Sequence, residues 1–302
     1  MHRISDEHVN YWFSKEYAPV LTIDSGEQVE FETKDCLSNV LQKPTDRLTA
    51  DNFDKEKVNP ATGPVYIRGA EPGDALEIHI DEIRFKEQSV ITCQAGYGVI
   101  GKYFDETTFR IVPIRDGYAW FDDRLRIPLR PMVGVIGVAP AGEKIRTELI
   151  GHHGGNMDNT MMRAGATLYL PVEVEGGLLG VGDVHAVMGD GEINCSAIEA
   201  PAYVTLTIRL RKGMGKLLKY PLLFNEEYLA VVSSEKTADE AIDHSVETMA
   251  LLMREKMDIP FDDISMLLSA VGDCQICQVC NVLRTARFLM PWYVLRAYGF
   301  EW

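Results

Sequence analysis

A chain of 302 residues that is 46% hydrophobic can bury a large core as one domain or as two closely packed ones. Its 30 Lys and Arg stand against 45 Asp and Glu, and the formal charge of −15 repels phosphate backbones and anionic lipid, so neither nucleic acid nor a membrane is an expected partner. The opening Met1-His2-Arg3-Ile4-Ser5-Asp6 mixes charges where a secretory signal is apolar, and six cysteines over this length do not form a small secreted disulfide framework; the reading is a cytoplasmic protein.

From about Val20 to Lys212 apolar and polar residues alternate, as in Val29-Glu30-Phe31-Glu32 and Leu76-Glu77-Ile78-His79-Ile80-Asp81, the period of half-buried strands. Breaks fall at Asn59-Pro60-Ala61-Thr62-Gly63-Pro64, Glu71-Pro72-Gly73-Asp74, Arg115-Asp116-Gly117 and Glu175-Gly176-Gly177, where turn chemistry puts them. Two clear strands lie over 167–174 and 202–209, rich in β-branched residues. After Ser233 the period changes. Thr237 with Glu240 forms a capping box, Ile242, Val246, Met249, Met253 and Met257 recur on one helical face until Pro260, and a second helix starts near Asp262 or Asp263. The expected class is α+β, mainly β: sandwich-like layers with helices added in the C-terminal part. We read 1–302 as a single domain, β-rich over 1–232 and helix-rich over 233–302, the latter not independent. The aromatic tail from Trp292 to Trp302 is expected either at a contact between copies of the chain, the reading its aromatic density favours, or packed on the sandwich.

Polar residues concentrate in two signatures, Gly151-His152-His153-Gly154-Gly155-Asn156-Met157-Asp158 and Gly182-Asp183-Val184-His185-Ala186-Val187-Met188-Gly189-Asp190-Gly191-Glu192. Ten of the 25 glycines fall between Gly151 and Glu192, so the backbone there turns sharply or approaches something closely. Asn156 and Asp158, Asp183 and His185, and Asp190 and Glu192 are each two apart and project to one side in extended backbone. Converging acids would raise one another's pKa values; a cation removes that conflict, and His with carboxylates and one open position describes a hydrolytic zinc site.

With Asn59 to Val65, Gly69-Ala70-Glu71-Pro72-Gly73-Asp74 and Met132-Val133-Gly134-Val135-Ile136-Gly137-Val138-Ala139-Pro140, these signatures closely resemble the acetamidase/formamidase family nearly end to end. The resemblance implies a β-rich sandwich-like fold with helical additions, hydrolysis of short aliphatic amides to carboxylate and ammonia, a homodimer or larger homo-oligomer, and a divalent metal, zinc ahead of calcium. Carried over, the matching positions are His153, Asn156, Asp158, Asp183, His185, Asp190 and Glu192, with Asp35 a weaker match. His152 stands where the family commonly has Pro, and Met188 where Gln is frequent. In the resulting expectation Asp158, Asp183 and His185, with Asp35, hold the ion. His153 is a fourth ligand or proton shuttle, Glu192 the general base and Asp190 a further catalytic acid. Gly154 and Gly155 N–H groups serve the oxyanion beside Asn156. Most have a plain alternative: Asp35, Asn156 and Asp158 as turn or capping residues, His153 as a helix or turn cap, Asp183 with His185 as a polar pair hydrogen-bonding a tight turn, and Asp190-Gly191-Glu192 as a hairpin turn.

Two rival functions stay open: a calcium-holding β-sandwich binding module, and a hydrolase of a larger or cyclic amide. Cys274-x-x-Cys277-x-x-Cys280 lacks a fourth ligand among the residues that follow and reads as packing. Gly96-Tyr97-Gly98-Val99-Ile100-Gly101 matches a dinucleotide fingerprint by letter but precedes no helix, so it reads as a hairpin or a wall of the site. Cys195, three residues after Glu192, offers a thiolate mechanism that an apolar strand setting argues against.

Overall fold

In the computed structural model, which describes residues 1–302, two large sheets pack face to face. The first has nine strands; the third from one edge, Ala202–Arg211, runs antiparallel to Gln28–Glu32 on one side and to Ala75–Phe85 on the other. Alternation turns Val204, Leu206 and Ile208 inward beside Val29, Phe31, Ile78 and Ile80, all fully buried. They meet Val133, Ile136, Val181 and Val184 from the second sheet in one core cluster of 32 residues. Because side chains alternate with period two, a slip of one residue would turn this whole inner face toward solvent; the apolar pattern therefore sets the register. Truncating Leu206 to alanine should cost about 2–5 kcal/mol.

The second sheet has twelve strands and centres on Leu179–Val187. This strand pairs with Met132–Gly137 on one edge, and on the other with Ala61–Ile67 and, further along, with Ile198–Glu199. It is buried over its first eight residues, so polar side chains on it sit inside the protein.

Three helices cover the outer face of the first sheet: α1 (Ala238–Lys256), α2 (Phe261–Val271) and α3 (Trp292–Ala297). The capping box of Thr237 and Glu240 forms as expected. The buried face of α1 runs through Ala241, Ser245, Met249, Leu252 and Met253, with Ile242 and Val246 at its border. None of the helices is long and apolar enough to cross a membrane.

The C-terminal part also holds two strands that the sequence reading did not anticipate, Asp273–Gln278 and Arg284–Pro291, which complete the edge of the first sheet. The first of them contains Cys274 and Cys277. The aromatic tail takes the packed alternative over most of its length. Trp302 packs edge-on against Tyr169 and Phe224 at 5.6 and 5.5 Å, and Phe300 is buried, so most of the tail lines this chain's own core. Tyr293 and Tyr298 alone among its aromatics stay exposed.

Candidate active site

Strand pairing builds the centre around one imidazole. His185 lies opposite Met132 on one neighbour and opposite Glu199 on the other. Its Nε2 is 3.1 Å from Glu199 Oε2, 3.4 Å from Asp183 Oδ1 and 4.0 Å from Asp158 Oδ1, and all four side chains are at most 3% exposed. None of these four atoms has a hydrogen-bond partner: the Glu199 and Asp183 approaches are close but poorly aligned, and the Asp158 approach is too long. Buried polar atoms in folded proteins are nearly always hydrogen-bonded, so four orphans facing one another require an explanation. Glu192 joins Asp158 and His185 with ligand atoms within 4.8 Å of one another; Cys36, Asp183 and Glu199 form a second such group.

The outer oxygens are held by neutral donors. Asn59 Nδ2 donates to Asp183 Oδ2 at 2.8 Å and Asn281 Nδ2 to Asp158 Oδ2 at 3.0 Å. The Cys280 thiol donates to Glu192 Oε2 at 3.3 Å, and the Ala197 N–H to Glu199 Oε1 at 2.7 Å. Burial, with Asp183 close by, pushes the Asp158 carboxyl up to about 8, and burial pushes Asp183 up to about 6 although His185 pulls the other way. Burial, reinforced by Asp158, raises Glu192 well above the carboxylate range. Burial opposes a charged His185, yet Glu199 and Asp183 outweigh it and drive the imidazole upward.

Backbone geometry explains how acids come so close. The ladder between Met132–Gly137 and Leu179–Val187 pairs Val133 with Val184 and Val135 with Gly182, and skips Gly134 and Asp183 between them. A Cβ on Gly134 would meet Asp158 Oδ1 at 2.7 Å and Asp183 Oδ2 at 2.8 Å, so only glycine leaves room for the carboxylates. Nine non-glycine residues have positive φ, and five belong to this centre: Asn59, Asp158, Asp183, Glu192 and Cys195. Strained backbone of this kind gathers at functional sites.

The structure therefore brings together Asp158, Asp183, His185 and Glu192 from the sequence-derived set and adds Glu199, Cys36, Gly134, Asn59, Asn281 and Cys280. It places the others elsewhere. His153 packs edge-on against Phe13 at 5.2 Å with Nε2 unpartnered, and burial holds its imidazole down at about 4, so it is a neutral core residue outside the acid cluster. Asp190 accepts from Arg287 at 2.6 Å and from Thr160 at 2.7 Å, an ion pair rather than a free acid. Gly154 and Gly155 sit in a three-stranded ladder where a Cβ would strike the carbonyls of Ile136 and Leu149; their glycine character serves close backbone packing, not an open oxyanion loop. Asn156 follows in the same ladder, buried opposite Val135, two residues before Asp158. Asp35 accepts N–H bonds from Leu37 at 2.9 Å and Asn39 at 2.7 Å, capping its own turn, and burial pushes it up to about 7.

Cys280 is not packing but touches Glu192. Gly98 and Val99 lie against the backbone of Ile193 and Asn194 next to Glu192, so that glycine run is a wall beside the site and no nucleotide loop.

A β-sandwich with helices on one outer face, enclosing a centre of four acids around one imidazole, is the class that fold and site define. The acetamidase/formamidase family model matches residues 2–149 and 141–237. A crystal structure of a predicted acetamidase/formamidase from the thermophile Thermoanaerobacter tengcongensis is 40% identical and superposes with a TM-score of 0.96, covering 100% of this chain and 99% of that one. An acetamidase structure from Bacillus halodurans is 38% identical with a TM-score of 0.94 over 98% of this chain and 99% of its own. The formamidase of Methylophilus methylotrophus is 24% identical over 64% of this chain, which spans 61% of that longer relative. The chain belongs to the acetamidase/formamidase family.

Proposed function

We propose that the protein hydrolyses short-chain aliphatic amides, formamide and acetamide among them, to carboxylate and ammonia with the help of a divalent cation, zinc ahead of calcium. The observation that carries this reading is the set of buried, unpartnered atoms Asp158 Oδ1, Asp183 Oδ1, His185 Nε2 and Glu199 Oε2 gathered at one place. Family membership and relatives named for formamide or acetamide hydrolysis support the substrate class.

Asp158, Asp183 and His185 would hold the cation, which when bound would supply Lewis acidity toward the amide carbonyl and a lowered pKa, about 7, for water. Imidazole and a nearby thiol suit zinc, whereas calcium takes oxygen ligands, which disfavours the calcium-holding binding module. Asn59 and Asn281 fix the outer oxygens of Asp183 and Asp158 and so keep the inner oxygens aimed. Glu192, whose ionised form burial and Asp158 oppose, would be ionised beside the same cation; with one oxygen held by Cys280, it would then take a proton from the attacking water with the other and return it to nitrogen, so that neutral ammonia departs. Burial keeps competing water away from these groups.

The exposed apolar rim beside Glu192, formed by Tyr97, Val99, Ile100 and Ile193, favours extending the substrate range to bulkier or cyclic amides. A cytoplasmic homodimer or larger assembly belongs to the same proposal, with exposed Tyr293 and Tyr298 as contact residues. The test follows ammonia release from formamide, acetamide, propionamide and a five-membered lactam, before and after chelation and zinc add-back. Release that chelation abolishes and zinc restores is the expected result. No ammonia from any amide, with only calcium in the purified protein, would favour the binding module.

A further inference from the structure

Asp158, Asp183, Glu192 and Glu199 carry up to four negative charges around His185, and no lysine or arginine pairs with any of them. Their other partners are amides, a thiol and the Ser196 hydroxyl, which donates to Glu199 Oε1 at 3.4 Å; all are neutral. One divalent cation compensates two such charges and leaves two more buried, which is costly. The ligand atoms divide into two abutting groups: Asp158, His185 and Glu192, and Cys36, Asp183 and Glu199, with all ligand atoms of a group within 4.8 Å of one another. Glu199 and Asp183, both at most 3% exposed, border His185 yet keep one oxygen each without a hydrogen bond.

The geometry points to a two-cation centre in which a second divalent ion is held by Cys36 Sγ with Asp183 and Glu199, beside the ion assigned to Asp158 and His185. This deepens the proposed function and rests on its cation. The turn that presents Cys36 is built for rigidity. Asp35 accepts the N–H groups of Leu37 and Asn39, Ser38 and Asn39 take left-handed backbone, and the Asn59 N–H donates to the Cys36 carbonyl at 2.9 Å. Asp35, expected as a ligand, thus positions its neighbour. A thiolate ligand selects zinc-like ions over calcium and magnesium, and binding releases the thiol proton to solvent as the sulfur–metal bond forms. Asp183, within reach of both groups, is the residue that couples them, and paired ions of this kind clamp both the attacking and departing groups of a hydrolysis.

The experiment strips the full chain of metal, reloads it with cobalt(II) or zinc, desalts it and counts ions per chain. Two per chain are expected, falling to one in Cys36→Ser. The cobalt protein should show a thiolate-to-cobalt charge-transfer band in the near ultraviolet. That band should vanish in Cys36→Ser, while visible ligand-field bands remain, and should persist in a Cys195→Ala, Cys280→Ala double variant. One ion per chain in the unaltered protein, or a band that Cys36→Ser retains, overturns the inference; the count on the unaltered chain decides even where Cys36→Ser does not fold. One ion with ammonia release intact sinks the second site and leaves the amide reading standing. Two ions with no ammonia from any amide support the second site and sink that reading.

Discussion

In Gly134→Ala the added Cβ would lie 2.7 Å from Asp158 Oδ1, 2.7 Å from the Asp183 carbonyl oxygen and 2.8 Å from Asp183 Oδ2. Carbon and oxygen in contact ordinarily sit about 3.3 Å or more apart, so each of the three atoms must give by about half an ångström. Retreat is hard: Asn281 holds Asp158, Asn59 holds Asp183, and the Asp183 backbone is flanked by paired residues on both sides. Overpacking of this kind costs about 1–3 kcal/mol, which lowers the melting temperature by about 2–6 °C in a chain of this size. Displacing ligand oxygens by up to about 1 Å costs on the order of 100-fold in turnover. Melting curves with and without zinc, together with kcat for ammonia release, measure both effects. If Gly134→Ala melts like the parent and turns over at the parent rate, the two carboxylates do not converge on Gly134 and the description of the centre is wrong.

In metal-free protein Asp158 is pushed up to about 8 from the ordinary 3.8. An acid with a raised folded pKa stabilises the fold while protonated, so stability is greatest below about pH 4 and is lost as pH rises toward 8. Asp158→Asn should flatten this decline in chelated samples; equal declines in both proteins would contradict the assignment. His153, held down at about 4 from 6.5, gives the opposite sign: its stability is intact above pH 6.5 and falls by up to about 3 kcal/mol as pH drops toward 4. In His153→Leu, urea titrations at pH 7 and pH 4.5 should show that acid-side loss removed, and an unchanged loss would place the proton elsewhere. Asp190→Ala leaves Arg287, 4% exposed, without its carboxylate, and should destabilise by about 1–3 kcal/mol while kcat per folded molecule is kept. A collapse of kcat with an unaltered melt would return Asp190 to the chemistry.

Local spacing made part of this molecule legible. Asp183 and His185 are two apart on one strand, and the alternating residues of 202–209 and the capping box at Thr237 led directly to observed elements. What escaped was assembled over long sequence distances. Glu199 reaches His185 only because Ile198–Glu199 pairs beside it, and Cys280 and Asn281 arrive from 88 and 123 residues away. The pair at 154 and 155 suggests free N–H groups for an oxyanion because a glycine pair does not reveal whether its neighbour is solvent or another carbonyl; here the carbonyls of Ile136 and Leu149 press on them. The sequence suggests a ligand or proton shuttle at His153, although a neutral imidazole against Phe13 behaves as an aromatic core residue. Cys36 followed Asp35 in plain view, but only the folded turn shows that the acid binds its own loop and the sulfur faces the acids.

Asp158, Asp183 and Glu192 all occupy left-handed backbone that glycine adopts without penalty, at φ values of 43°, 52° and 41°. Glycine at any of the three would relax the chain and delete a repelling charge in one stroke, so a laboratory selection for heat tolerance alone should drift toward glycine there and toward inert protein. Durability and reactivity compete for the same three residues.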